Sequence, residues 1–324
     1  MKIIDMHCDT IMELMNSNKA LRKSDNMIDL EKLKEGNYLL QCFAMFVPYK
    51  KKDDPNFNPF YYCNKMIDKY YNEIEKNSDL IKPVFNYQDV INNINNNIMS
   101  SLLTIEEGGV CLGNIEFLRN LYRLGVRMIT LTWNFTNELG HPNIDMINSD
   151  KEKPNTTEGL TELGFEFVRE MNRLGIIIDC SHLSDKGFYD VISTSTKPIV
   201  CSHSSSRAVC NHPRNMTDDM LLKLKENGGV VGINYAHNFV ISEDRVETID
   251  DIVKHFVHVK ELIGVDHLGF GSDFDGISNE KLELKNASMM GLLIDRLKQN
   301  GFTDEDIDKI SYKNVLRVMK ENFR

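Results

Sequence analysis

The sequence predicts an α/β protein folded as one (β/α)8 TIM-like barrel over residues 1–324. Three observations carry this expectation. Eight short apolar runs rich in β-branched residues alternate with stretches of helical periodicity, as repeated βαβ units require. Several of those runs are almost continuously hydrophobic, as strands buried on both faces are. The length of 324 residues suits one barrel with insertions, which typically needs about 250 residues.

The strands are read at residues 3–7, 39–46, 101–105, 127–132, 176–180, 198–202, 229–234 and 267–272. Between the second and third, Phe60, Cys63, Ile67, Tyr71 and Ile74 recur at helical spacing, and so do Ile91, Ile94 and Ile98. The Asn-rich stretch 92–97 is then a polar helix face. Residues 160–174 form a strong helical pattern that stops at Gly175, a suitable C-cap. Ile307 and Ile310, then Val315, Leu316, Met319 and Phe323, give the tail the same period. An open doubly wound sheet is the alternative, but no Gly-rich phosphate loop follows the first strand. Two long irregular segments, 47–59 and 134–159, are expected to be functional loops. The second follows strand four and belongs on the face where barrel strands end.

Charge and composition narrow the function classes. A net charge of −10 argues against a nucleic-acid partner, since such proteins concentrate basic residues. The one short basic run, Lys50-Lys51-Lys52, meets Asp53 and Asp54 at once and reads as a solvated loop. The N-terminal residues hold no apolar signal region, no apolar run reaches the ~20 residues of a membrane span, and the last residues carry no lipid-anchor signal. Seven cysteines lie scattered without close pairing. Together these predict a cytoplasmic chain with reduced thiols and no membrane partner.

The chemistry-bearing residues gather at strand ends. His7 and Asp9 close strand one and, by strand alternation, point the same way while Cys8 points away. Glu106-Glu107-Gly108-Gly109 closes strand three, its glycines allowing a sharp turn behind a carboxylate. Asp179-Cys180-Ser181-His182 closes strand five, Cys201-Ser202-His203 closes strand six, and Gly271-Ser272-Asp273-Phe274-Asp275-Gly276 closes strand eight. All C-terminal strand ends of a barrel converge on one face. Three histidines and several carboxylates would therefore share one mouth, more than a single zinc needs. Taken singly, any of these histidines suits a hydrogen-bonded core role, and Asp273 or Asp275 suits a turn cap. Their joint placement at strand ends is what points to metal. Cys180 and Cys201 are read as soft ligands or, preferably, as small buried fillers one layer below the site.

With these motifs in hand, the chain resembles the membrane (renal) dipeptidase family of zinc dipeptidases, as a bacterial-type member. The matching pieces are Asp5-Met6-His7-Cys8-Asp9-Thr10, Glu107-Gly108-Gly109, Leu131-Thr132-Trp133-Asn134, Asp179-Cys180-Ser181-His182-Leu183-Ser184, Ser202-His203-Ser204-Ser205, Arg214-Asn215 and Gly269-Phe270-Gly271-Ser272-Asp273-Phe274-Asp275-Gly276. The likeness runs from residue 3 into the tail, through Gly301-Phe302 and Asn314-Val315-Leu316-Arg317-Val318. It implies a metal-dependent hydrolase barrel with two zinc ions. His7 and Asp9 would hold one, His182 and His203 the other, and Glu107, the residue before the glycine pair, would bridge them; Glu106 is the alternative bridge. Arg214 would bind the terminal carboxylate of a dipeptide substrate, and Asp273 would be the catalytic carboxylate. The implied reaction is peptide-bond hydrolysis by a hydroxide held between the zinc ions. The family resemblance also suggests a homodimer. One departure is Trp133, which stands where the animal enzymes carry a substrate-contacting His. Rival readings are another amide hydrolase or a deaminase on the same barrel, and a metal-stabilised scaffold that binds peptides without cleaving them.

Overall fold

The computed structural model describes residues 2–49, 54–147 and 153–324. The basic run 50–52 lies outside the described residues. Among the described residues nine parallel strands form: β1 (Ile3–Asp5), β2 (Tyr38–Phe46), β3 (Ile81–Pro83), β4 (Met99–Glu106), β5 (Met128–Thr130), β6 (Ile177–Asp179), β7 (Val200–Cys201), β8 (Val230–Ile233) and β9 (Leu268–Phe270). Their order is β2-β1-β9-β8-β7-β6-β5-β4-β3, and a seven-pair ladder between β2 and β4 closes eight of them into a barrel. All eight barrel strands sit at the expected runs. β3 is an addition: it pairs with the first three residues of β4 on the edge that β5 takes further along. A three-residue segment ending in proline carries too little periodicity to be read as a strand.

Alternation along the strands divides the core in two. Ile4, Leu40, Cys42, Leu102, Met128, Ile177, Val200 and Val230 fill the barrel interior. Ile3, Phe43, Leu103, Ile105, Ile129, Ile178 and Val231 face outward onto the helices. Cys180 and Cys201 belong to this outer layer, so they are neither ligands nor fillers below the site. Val315, Val318, Met319 and Phe323 of the helix Asn314–Asn322 join the interior cluster. Asn314 donates to the carbonyls of Val265 and Leu268 before and in β9, and Asn322 to that of Pro198 before β7. That helix therefore stoppers the N-terminal end of the barrel, leaving the C-terminal end for the site.

The helix Glu162–Leu174 ends at Gly175 with φ 89°, the left-handed C-cap expected there. The Asn-rich stretch is helical only to Asn95. Asn96 caps it and Asn97 turns the chain with φ 53°. At the opposite rim, Gly232 and Gly271 have no room for a side chain. A Cβ on either would collide with the carbonyl oxygen of Ser202, and on Gly271 it would also lie 3.1 Å from the His203 Cα. The end of β7 thus closes directly on the end of β9 across β8.

Candidate active site

Two aspartates weld the strand ends that carry the histidines. Asp5 accepts from the backbone N–H of Ser272 (2.9 Å) and of His7 (3.4 Å), and from the Ser272 hydroxyl (2.6 Å). Asp179 repeats the pattern at β6 and β7: it accepts from the N–H groups of Ser202 (2.9 Å) and Ser181 (3.0 Å), and from the hydroxyls of Ser202 and Thr130 (both 2.6 Å). Asp5 and Asp179 stand in the strand-one and strand-five motifs, but their strand-joining role depends on Ser272, Ser202 and Thr130, which lie far away in sequence. The visible signal was a shared one, an Asp two or three residues before a His at a strand end.

His7, Asp9, His182 and His203 come together as expected, and Cys8 turns away toward the Cys42 carbonyl. Asp9 begins the helix Thr10–Met15 yet makes no capping bond, and its buried Oδ1 has no partner. The capping role that would explain it away is absent. His7 Nε2 is likewise buried without a hydrogen bond, 3.6 Å from Asp9 Oδ2 and 3.9 Å from Asp273 Oδ1. Its ring stacks on His203 at a centroid distance of 3.8 Å.

The carboxylate among these groups is Glu106, which corrects the expectation for Glu107. Glu106 Oε2 lies 3.4 Å from His7 Nε2, while Oε1 lies 3.0 Å from His182 Nε2 and 3.4 Å from His203 Nε2. The reason is strand parity. Leu102 and Glu106 share the inward face of β4, and Leu103 and Ile105 the outward one. Glu107 follows with φ 109° and buries its carboxylate on the far side. There it accepts from Gly109 N (2.7 Å), Asn137 Nδ2 (2.5 Å) and Trp133 N (3.2 Å).

Neighbours set the imidazole tautomers. Asn134 Oδ1 lies 2.8 Å from His182 Nδ1, and an amide oxygen only accepts, so Nδ1 carries the proton. The Ser202 hydroxyl spends its hydrogen on Asp179 and lies 2.8 Å from His203 Nδ1, which must then donate. Both Nε2 atoms are left with bare lone pairs only 3.0 Å apart, facing Glu106 Oε1. Three acceptors converging without a proton is an arrangement a cation resolves. Burial, with Arg214 and His203 adding to it, holds His182 well below the usual histidine range; burial and the neighbouring His7 push His203 down to about 4. Both of these rings are thus neutral in the metal-free protein, whereas His7, against the pull of burial, is held well above the usual histidine range by Glu106 and Asp9. Two ligand groups result, His7–Asp9–Glu106 and Glu106–His182–His203. A third grouping, with Asp179 beside His7 and His203, is set aside because both Asp179 oxygens are already bonded.

Asp273 stands at the edge of this cluster with φ 61°. Its Oδ2 accepts from Asn234 Nδ2 at 3.0 Å, and burial, reinforced by Asp9 and Glu106, pushes its carboxyl up to about 7. Asp275 does something else: it ties Thr10, Met27 and Ile28 together and is no candidate ligand. Glu107, His182, Asp273 and Asp275 all adopt left-handed backbone, a clustering of strain common at functional sites. Arg214 is buried, donates to the His203 carbonyl at 3.3 Å, lies 5.3 Å from the centre of the Phe239 ring, and keeps Nε unpaired. A cavity of about 240 Å³ opens over the cluster, lined by Asp9, Glu106, His182 and Asp273 and walled by Met12, Phe46, Trp133, Phe239 and Ile277. Trp133 packs edge-on against Phe46 at 5.0 Å. Apart from Trp133, the apolar walls carry no sequence signal of their own, since a helix (Met12), a strand end (Phe46), a short helix (Phe239) and a loop (Ile277) meet there only through the fold.

A dipeptidase of Claviceps purpurea is 32% identical over 300 residues, 91% of this chain and 69% of that protein. A dipeptidase of Clonostachys rogersoniana is 34% identical over 298 residues, 90% of this chain and 74% of its own length. A solved metallopeptidase of family M19, described as a dipeptidase, superposes with TM-score 0.90 at 25% identity, covering 100% of this chain and 99% of its own. A metallopeptidase of Rhodobacter sphaeroides, solved with a phosphinate mimic of the dipeptide L-Ala-D-Ala, shares the fold with TM-score 0.88 at 24% identity, over 100% of this chain and 99% of its own. The family model described as membrane dipeptidase, peptidase family M19, matches residues 1–323, and the chain belongs to that family.

Proposed function

We propose that this metallo-dipeptidase of family M19 cleaves dipeptides at a two-zinc centre in which His7 and Asp9 hold one ion, His182 and His203 the other, and Glu106 is shared. The observation that carries the reading is the split of the Glu106 carboxylate, with Oε2 toward His7 and Oε1 toward His182 and His203. The orphaned His7 Nε2 and Asp9 Oδ1 fit the same donor set, since nitrogen and carboxylate oxygen both suit zinc. Two zinc ions there would lower the pKa of water to about 7 and polarise a carbonyl.

The chain's own groups supply the rest. Asp273, oriented by Asn234, takes a proton from water and delivers it to the leaving amine, the work of a general acid–base carboxylate. Arg214 offers a buried planar fork for the substrate's terminal carboxylate, which restricts the site to very short peptides. Met12, Phe46, Trp133 and Phe239 exclude water around the scissile bond. Seven free, buried cysteines suit a reducing compartment such as the cytoplasm. Among the described residues no helix is long and apolar enough to cross a membrane.

The test joins metal analysis to a dipeptide panel. Purified protein should hold two zinc ions per chain and lose activity to chelator. Arg214→Ala should cost about ten- to a hundred-fold in kcat/KM on free dipeptides, the size of a lost charge-assisted contact, and far less on C-terminally amidated ones. One zinc at saturation would refute the paired centre, and equal losses on both substrates would refute carboxylate recognition.

A further inference from the structure

Glu107 makes no approach to the candidate ligands, yet its carboxylate is fully buried and accepts three N–H bonds. Two of the donors, Trp133 N and Asn137 Nδ2, belong to the long loop after β5. Asn137 extends the tie: it also donates to the Leu131 carbonyl (2.9 Å) and accepts from the N–H groups of Leu139 (2.7 Å) and Gly140 (3.2 Å). One carboxylate thus gathers residues 131–140 around the end of β4. Within that gathered segment stands Asn134, whose Oδ1 meets His182 Nδ1 at 2.8 Å. The Asn134 carbonyl in turn accepts from Met146 N at 2.9 Å.

We propose that Glu107 is a positioning residue for one half of the metal centre: it clamps the loop after β5 so that Asn134 holds the His182 ring with Nδ1 protonated and Nε2 aimed at Glu106. The proposal rests on the reading of His182 as a ligand, but it concerns a different link. Three facing N–H groups need an acceptor-only partner. A glutamine would turn its own NH2 toward one of them, which explains an acidic residue where no cation is held. The two adjacent glutamates then divide the work, Glu106 toward the ligand cluster and Glu107 toward the loop. Outer partners that orient a metal-bound histidine typically set affinity by about 10- to 100-fold. Because only one ligand group among the described residues contains His182, the effect should fall on one ion and spare the other.

The chain's single tryptophan is Trp133, so its fluorescence reports this loop alone. Asn134→Ala leaves the clamp intact and should weaken one of two zinc sites by ~10- to 100-fold in chelator competition. Glu107→Gln should weaken the same site and also make Trp133 more open to acrylamide quenching in the metal-free protein. In the double variant, zinc affinity should fall no further than in Glu107→Gln, because both act through one ring. Imidazole nitrogen NMR should show the His182 Nδ1 proton exchanging faster in each variant. Two unchanged zinc affinities in Asn134→Ala would overturn the proposal, even if Glu107→Gln fails to fold. So would losses that multiply in the double variant, or a Glu107→Gln protein that melts earlier while binding zinc normally. Wild-type protein that does not bind two zinc ions would fault the metal reading instead.

Discussion

Asp273→Asn separates chemistry from architecture at this site. The substitution removes one ionisable proton carrier and almost nothing else. Asp273 sits at φ 61°, a backbone region that Asn tolerates better than most residues, so the main chain need not move. The bond to Asn234 survives if the new amide turns its oxygen to that donor, leaving the NH2 toward the cavity. The stability of the folded variant should therefore stay within ~1 kcal/mol at or below pH 4. Turnover should fall by about 10²–10⁴, the usual share of a general acid–base group, or ~2.7–5.4 kcal/mol of transition-state stabilisation at 1.36 kcal/mol per decade. The metal-free protein offers a second readout. Burial raises the folded pKa of Asp273 from 3.8 to about 7. Its protonated form thus contributes stability that is complete below pH ~4 and is lost as pH rises through about 7. An asparagine carries no such loss, so the metal-free variant should gain on wild type across that window. The assays are kcat/KM on a dipeptide, zinc content after dialysis, and melting of metal-free protein from pH 4 to 8. Full activity would refute the acid–base role. Lost zinc would make Asp273 a ligand, and a metal-free variant that melts lower at pH 8 would refute the electrostatic account.

Three further perturbations probe the same framework. Glu106→Gln should weaken both zinc sites by at least ~100-fold, beyond what an outer partner typically costs; if Glu107→Gln dropped both ions and Glu106→Gln kept them, the assignment would reverse. Gly276→Ala places a methyl against Asp9 Oδ2 and Asp273 Oδ1, so kcat/KM should drop by about 10²-fold through misplacement, while a wild-type rate would mean the two carboxylates have room to spare. Glu247 is buried with Oε2 unpartnered, and burial beside Asp251 raises its carboxyl to about 9. Its folded pKa is raised, so the stability it contributes fades as pH climbs from ~4.5 through about 9. Glu247→Gln should stabilise the fold by ~1–3 kcal/mol at pH 8 and by little at pH 5, and a pH-independent melting difference would exclude that cause.

Much of the barrel was legible because buried parallel strands are long apolar runs, and each of the eight carries its own signal. β3 was not, because its three residues gain their strand character only by docking on β4. Four of the five candidate ligands were legible from their residue type at strand ends. The fifth turned on one step of register. The glycine pair and the family resemblance favour Glu107 with Glu106 as the alternative, while the alternation Leu102-Leu103-Thr104-Ile105-Glu106 places Glu106 on the inward face. What stayed illegible were partners far apart in sequence: Asp5 with Ser272, Asp179 with Thr130, Asn134 with His182. Each is a pairing of common polar residues whose meaning comes only from the closure of the ring.

The contact of Gly232 and Gly271 with the Ser202 carbonyl has a mechanical consequence. The rim is drawn in on one side by main chain touching main chain, and that closure brings His203 onto His7. In the proposed centre, the gap between the two candidate ligand groups would then follow the girth of the barrel mouth. Ions of larger or smaller radius would have to spread or tighten the strands themselves, against a packed interior of low compressibility. Under the proposed two-ion centre, discrimination by ionic size would be a property of the hoop, and a methyl group on either glycine would act as a spacer that loosens it.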